Sequence, residues 1–329
     1  MESTPDLTVP SPTPENSHRP VGHILRLHPD LDTLVAPGAQ PEHLAGGFIF
    51  TEGPLWRANG VLWFSDVPGN VVRQWAPDGT ITEILRPGGY DGHTLPPGFI
   101  GPNGSTAGPD GSVILCQHGN RRVVQIDRDR RVASVVDGFD GRRLNSPNDV
   151  IFRSDGRMYF TDPPYGLPKQ DDDPDKDLPW NGVFMLAHGT LEPLVTTHTR
   201  PNGLGLSTDE KTFYLANSDP DHRYWMRYDV AGDGTLRDGV VFADVSREPE
   251  PGLPDGLKLD ALGNIYATGP GGVWVFSPAG PHLGTIVLPE LPANLAWGDA
   301  DWRTLYITAE TSLYRLRMQV AGQRLVYQE

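Results

Sequence analysis

Ser146-Pro-Asn148-Asp149-Val-Ile-Phe-Arg-Ser-Asp155-Gly156-Arg-Met-Tyr-Phe-Thr-Asp162 decides the fold. Two short apolar runs flank Asp155-Gly156, a turn pair that tolerates positive φ, so the stretch reads as a β-hairpin. The pattern returns. Pro201-Asn202-Gly203-Leu204 leads through a polar turn at 207–210 to Thr212-Phe-Tyr-Leu215. Pro254-Asp255-Gly256-Leu257 leads through Leu262-Gly-Asn264 to Ile265-Tyr-Ala267. Each copy carries Asn or Asp just before its first strand.

Working outward, six such units can be drawn, with Glu52, Asn103, Asn148, Asn202, Asp255 and Asn294 in related places. The repeat is roughly 40 to 55 residues, the length of a four-stranded propeller blade. No segment sustains a 3.6-residue apolar period over three turns, so helix content is expected to be low. The expected fold class is all-β: a single six-bladed β-propeller over residues 21–329. Residues 1–20 are rich in Pro, Ser, Thr and Glu and read as a disordered tail. The ring needs one more outer strand. Residues 43–50 and residues 324–327 are the two candidates.

Composition narrows the function. The 329-residue chain carries a formal charge of −15. Nucleic acid or an anionic membrane is therefore not expected as its main partner, since both call for basic patches. No apolar run is long enough to span a bilayer, and no secretory signal is visible, so the cytosol is the expected location. The one cysteine, Cys116, sits in an apolar run and reads as a buried structural thiol. Oligomeric state is not legible.

In a propeller the innermost strand of each blade lines the central channel, and the residue before it sits at one mouth. Glu52, Asn148, Asn202 and Asp255 would bring two carboxylates and two amide carbonyls together there. Taken singly, each is an ordinary turn residue. Taken as a set, they are hard oxygen donors that suit Ca²⁺ best and Mg²⁺ or Mn²⁺ next; Zn²⁺ normally takes nitrogen or sulfur. An ion held this way could polarise a bound carbonyl through an open position.

Several ordered pieces resemble the SMP-30/gluconolactonase/LRE-like (regucalcin) family. They are Thr51-Glu-Gly-Pro-Leu-Trp56, Leu144-Asn-Ser-Pro-Asn-Asp149, Tyr159-Phe-Thr-Asp-Pro-Pro-Tyr-Gly166, Pro201-Asn-Gly-Leu204 and Pro254-Asp-Gly256. Cys116-Gln-His-Gly-Asn-Arg-Arg-Val123 is similar to the bacterial gluconolactonase branch. The resemblance runs from about residue 42 to 318. It implies a six-bladed propeller, one divalent metal in the channel and lactone hydrolysis. It places the metal on Glu52, Asn202 and Asp255, with Asn148 as a further ligand or a substrate contact. Asp255 is expected to assist the attack of water.

Weaker substrate-binding candidates are Asn103, His118, Arg121 and Tyr165. The acidic run 171–177 departs from an EF-hand at its Gly and Glu positions and reads as an exposed loop, a lid candidate. No nucleophile elbow or His-Glu-x-x-His occurs. The expected partner is a small lactone, most simply a sugar lactone. An organophosphate or aryl-ester hydrolase would use the same site, and a non-catalytic calcium- or partner-binding propeller is the reading from another class. Loops 86–100 and 163–181 are expected to set specificity.

Overall fold

The Asp155-Gly156 hairpin forms. In the computed structural model, which describes residues 19–328, Val150–Phe152 pairs antiparallel with Met158–Asp162, Val150 opposite Phe160. Gly156 takes the positive φ of 87° that the turn requires. Most of the proposed tail (residues 1–18) lies outside the described residues; Arg19–Pro20 pair with His43 and Glu42.

The same meander builds every blade. Blade one runs Thr51–Arg57, Val61–Asp66, Val71–Trp75, Ile81–Leu85, and blade two Pro102–Ala107, Val113–Gln117, Arg122–Ile126, Val132–Val136. Blade three is Val150–Phe152, Met158–Asp162, Gly182–Ala187, Thr190–Val195, and blade four is Pro201–Leu206, Thr212–Asp219, His222–Val230, Leu236–Asp244. Blade five is Leu257–Leu259, Ile265–Gly269, Gly272–Phe276, His282–Val287; the chain ends its circuit in Pro292–Gly298, Thr304–Ala309 and Ser312–Arg317. The first strand of each blade neighbours the first strands of the blades beside it, so the inner strands form a closed ring. The fold is a six-bladed β-propeller. Its one α-helix among the described residues is the single turn Leu31–Leu34.

Glu42–Gly46 supplies the strand that closes the ring, pairing with Ser312–Arg317. The chain's end does something else. Gly322 bridges Asp260, Gln323 N donates to Leu259 O (3.0 Å), and Gln328 Nε2 donates to Trp56 O (2.9 Å). Tyr327 meets Phe152 edge-on at 4.9 Å. The tail thus crosses the lower face, where the inner strands end. His23–Arg26 and Arg19–Pro20 add outer strands to blades five and six, covering two sheet edges that would otherwise stay open.

The cores lie between blades. Tyr306 stacks on Trp56 (5.1 Å, 13°) across the blade six–blade one seam, inside a cluster holding Ile307, Leu305 and Trp297. Fully burying each such side chain contributes about 1.5–3 kcal/mol. Cys116 is buried in blade two, where desolvation pushes its thiol up.

The acidic run is an exposed loop, open to solvent at Asp171, Asp172, Asp175 and Asp177, that local bonds hold in place. Gln170–Asp172 form a 3-10 turn, Asp173 is buried and accepts Lys169 N and Asp175 N, and Asp171 pairs with Arg200. Lys176 is folded back onto Leu178 O. These bonds strap the run to the propeller. They form because its carboxylates find local backbone donors and one arginine.

Candidate active site at the upper channel mouth

Each inner strand starts at the upper face. The backbone ladder of blade three extends one step above Val150: Asn148 N donates to Thr161 O (2.8 Å), and Thr161 N donates to Asp149 O (3.0 Å). This pairing fixes Asn148 at the mouth. Asp162 holds the approach to it, accepting Asn145 N at 2.7 Å and Ser146 N at 2.8 Å.

Glycines let the mouth close tightly. A Cβ on Gly53 would lie 2.0 Å from Asn103 O, on Gly104 2.4 Å from Asn148 O, on Gly203 2.1 Å from Asp255 O and on Gly256 2.2 Å from Asn294 Cγ. Each glycine follows one site residue and abuts the site residue of the next blade. Gly203→Ala is therefore expected to displace Asp255, costing about 1–3 kcal/mol of stability and most of the activity. Gly232→Ala, with nothing within 4 Å of its Cβ, should change neither. Thermal melts and lactone assays on the two variants check this.

A chain of amides joins the set. Asn148 Nδ2 donates to Asn202 Oδ1 (2.5 Å), and Asn202 in turn hydrogen-bonds Asp255. Asn103 Nδ2 donates to Asn148 Oδ1 at 2.9 Å. Asn294 Nδ2 donates to Glu52 Oε2 (3.0 Å), which also accepts Gly53 N (2.7 Å). Glu52, Asn148, Asn202 and Asp255 are thus brought together, with Asn103 and Asn294 beside them. Among the described residues no three His, Cys, Asp or Glu side chains cluster as metal ligands; half of this set is amide.

Asp255 and Glu52 feel each other. Desolvation, then the Glu52 charge and Asp149, push Asp255 well above the usual carboxylate range. Desolvation pushes Glu52 up to about 7, while its bonds from Gly53 and Asn294 pull it back. Asp255 Oδ1 and Asn103 Oδ1 are sealed from solvent with no hydrogen-bond partner. An unpartnered oxygen on Asp255, close to the Glu52 carboxylate and two amides, fits a site for a hard cation.

His118 belongs to the set. Its Nδ1 lies 2.8 Å from Phe99 O, which can only accept, so Nδ1 carries the proton. Its bare Nε2 therefore accepts from Asn103 Nδ2 (2.8 Å). Desolvation holds His118 down to about 4, hence neutral. Tyr165 reaches Ser218 and Asn202 beside Asp255, and desolvation keeps its phenol neutral.

Arg121 is not brought to the mouth. It is buried, with Nε donating to Leu144 O and Nη1 to Asp175 O, both at 2.6 Å. Its guanidinium staples the segment before Asn148 to the acidic loop. Sequence position alone put it near His118; its left-handed backbone (φ 57°) turns it away. Two residues that the sequence reading passed over line the channel below Asn148 and Asp255: Asp149 and Lys258. The available signal was a lysine inside the buried inner-strand run Leu257-Lys258-Leu259.

A closed six-bladed propeller with an oxygen-lined mouth defines a class of channel-site proteins. Within that class, this chain belongs to the SMP-30/Gluconolactonase/LRE-like family: residues 50–311 match its model. It is 37% identical over 315 residues to a gluconolactonase of Zymomonas mobilis, covering 92% of this chain and 88% of that one. A pentonolactonase of Haloferax volcanii is 28% identical, over 78% of this chain and 80% of its own length. The solved structure of a Xanthomonas campestris gluconolactonase superposes with a TM-score of 0.78 at 31% identity, covering 91% of this chain and 98% of that chain. No helix among the described residues is long and apolar enough to cross a membrane.

Proposed function

We propose that this protein is a metal-dependent lactonase that opens a sugar lactone, most simply an aldono-1,5-lactone, at the upper channel mouth. The observation that carries the reading is the convergence of Glu52, Asn148, Asn202 and Asp255 around the unpartnered Asp255 Oδ1. The gluconolactonase and pentonolactonase relatives support the substrate class.

Glu52, Asn202, Asp255 and Asn148 would hold the ion, and their all-oxygen chemistry favours Ca²⁺ over Mg²⁺, Mn²⁺ or Zn²⁺. When bound, such an ion polarises the lactone carbonyl and stabilises the developing negative charge. The chain's residues do the rest. Asp255 accepts the proton of the attacking water through a carboxylate oxygen. Water adds to the carbonyl carbon, the ring C–O bond breaks, and the proton passes to the leaving ring oxygen. Neutral His118 holds Asn103, which orients Asn148. The Tyr165 hydroxyl stands ready to bond a sugar hydroxyl.

A pH-stat assay over a lactone panel tests the reading, with and without a chelator. Chelation should abolish hydrolysis and calcium should restore it. Full hydrolysis by stripped protein would sink the mechanism. Turnover of an aryl ester or phosphotriester, and of no lactone, would move the substrate class. No hydrolysis of any ester would leave a binding propeller.

Metal-free protein should also show a pH signature. Glu52 and Asp162 are each pushed up to about 7, first by desolvation. Between their ordinary values and about 7 the native state holds protons that the unfolded chain releases. Stability should therefore fall as pH rises across that window. Thermal scans in chelator are expected to give a higher melting temperature near pH ~5.5 than near pH ~7.5. Calcium should recover part of the difference at the higher pH, by occupying the site beside Glu52.

A further inference from the structure

One layer below the ligand set lies a second group of charges that lactone hydrolysis does not use. Asp149 is 1% exposed. Its Oδ1 accepts Val150 N (2.9 Å), whereas its Oδ2 is sealed from solvent and makes no hydrogen bond. Lys258 rises from the inner strand of blade five. Its Nζ donates to Leu257 O (3.0 Å), lies 3.4 Å from Asn294 Oδ1 and stands 3.7 Å from Asp149 Oδ2. The Lys258 side chain is 13% exposed and that of Asp149 2%. Asn294 also donates to Glu52 Oε2, so one amide links the ammonium to a ligand carboxylate. On its lower side Lys258 borders a cavity of about 390 Å³ walled by Ile151, Leu204, Leu257, Leu259 and the tail at Gln323 and Leu325.

A lysine so far inside a protein is costly unless its charge is needed. The charges around it say what the need is. Glu52, Asp149 and Asp255 act on one another, and Lys258 opposes all three. Fully ionised, as a bound cation would make them, three carboxylates and one ammonium sum to −2, the charge one divalent ion cancels.

We propose that Lys258 is a built-in counter-ion: it balances Asp149 and, with Leu295 N, holds the Asn294 amide that donates to Glu52, leaving Glu52 and Asp255 with the negative charge that one divalent cation cancels. This rests on the metal-site reading above and goes beyond it. Lys258 is a positioning residue that touches neither substrate nor ion. It tunes cation affinity downward, because its positive charge opposes the ion's, while giving Asp149 a partner in the metal-free channel.

The test is calcium titration by calorimetry on chelator-stripped protein, with melting temperatures in chelator. Wild type is expected to bind one Ca²⁺; no binding would overturn the metal-site reading itself. Given that binding, Lys258→Met should bind calcium at least about tenfold tighter and melt lower than wild type in chelator. Asp149→Asn, which keeps the ammonium, should bind at least about tenfold weaker. The double variant removes the pair as a neutral unit and should return within about threefold of wild type. It also covers the case in which Lys258→Met alone does not fold. A lysine with a purely structural role would only weaken binding when lost. Unchanged or weaker affinity in Lys258→Met, or a double variant more than about tenfold from wild type, would overturn the proposal while leaving the lactonase reading standing.

Discussion

Replacing Asp255 by Asn is expected to lower kcat for lactone hydrolysis by about 10²–10⁴-fold, the range of a positioned proton acceptor. The substitution keeps size and one carbonyl oxygen, so the ring of inner strands can persist. What it removes is the carboxylate that accepts water's proton. It also removes the charge that Glu52 and Asp149 oppose. The same variant should therefore melt higher than wild type in chelator at pH ~8, since the amide removes a buried carboxyl whose anion is opposed by desolvation, Glu52 and Asp149. A protein that gains stability and loses turnover together is the signature of a strained functional group. Wild-type hydrolysis in Asp255→Asn would remove Asp255 from the chemistry.

Glu52→Gln should act through the ion instead. Calcium affinity is expected to drop by more than the ~10–100-fold typical of an outer-shell change, since a charged ligand is lost. Excess calcium should then restore part of the turnover. That rescue separates it from Asp255→Asn, which no calcium concentration should rescue. The amide can still accept Gly53 N and Asn294 Nδ2, the two bonds that Glu52 Oε2 now receives. Loss of fold is thus not the expected outcome, and a near-UV circular dichroism spectrum checks that it has not occurred.

Much of this site was legible along the chain. Glu52 and Asn202 lie second in their inner strands and Asn148 and Asp255 two residues before theirs, and a repeat marks such positions whatever the blade packs against. His118 and Tyr165, read as weaker substrate-binding candidates, lie beside the set, His118 against Asn103 and Tyr165 against Asn202. Arg121 shows the limit. It lies on the loop that carries His118, yet its guanidinium bonds to Leu144 O and Asp175 O. A side chain of that length takes its direction from neighbours distant in sequence. Asn294 shows the limit from the other side. Its partner Glu52 is 242 residues away and becomes a neighbour only once the ring has closed.

The ring closure is the clearest division. Alternating strands, turn pairs and a repeating Asn or Asp are local features, so the sequence by itself determined an all-β propeller, its blade count and the oxygen set at its mouth. It left residues 43–50 and 324–327 as equal candidates for the last strand, because both are short extended runs. Tertiary packing chose Glu42–Gly46 against Ser312–Arg317 and sent the chain's end across the lower face. It also set Lys258 beside Asp149, a pairing between blades that no period along the chain announces. The physical reason is the same in each case. Backbone geometry is written residue by residue, whereas the partner of a buried charge or an open strand edge is decided by what the closed ring brings within reach.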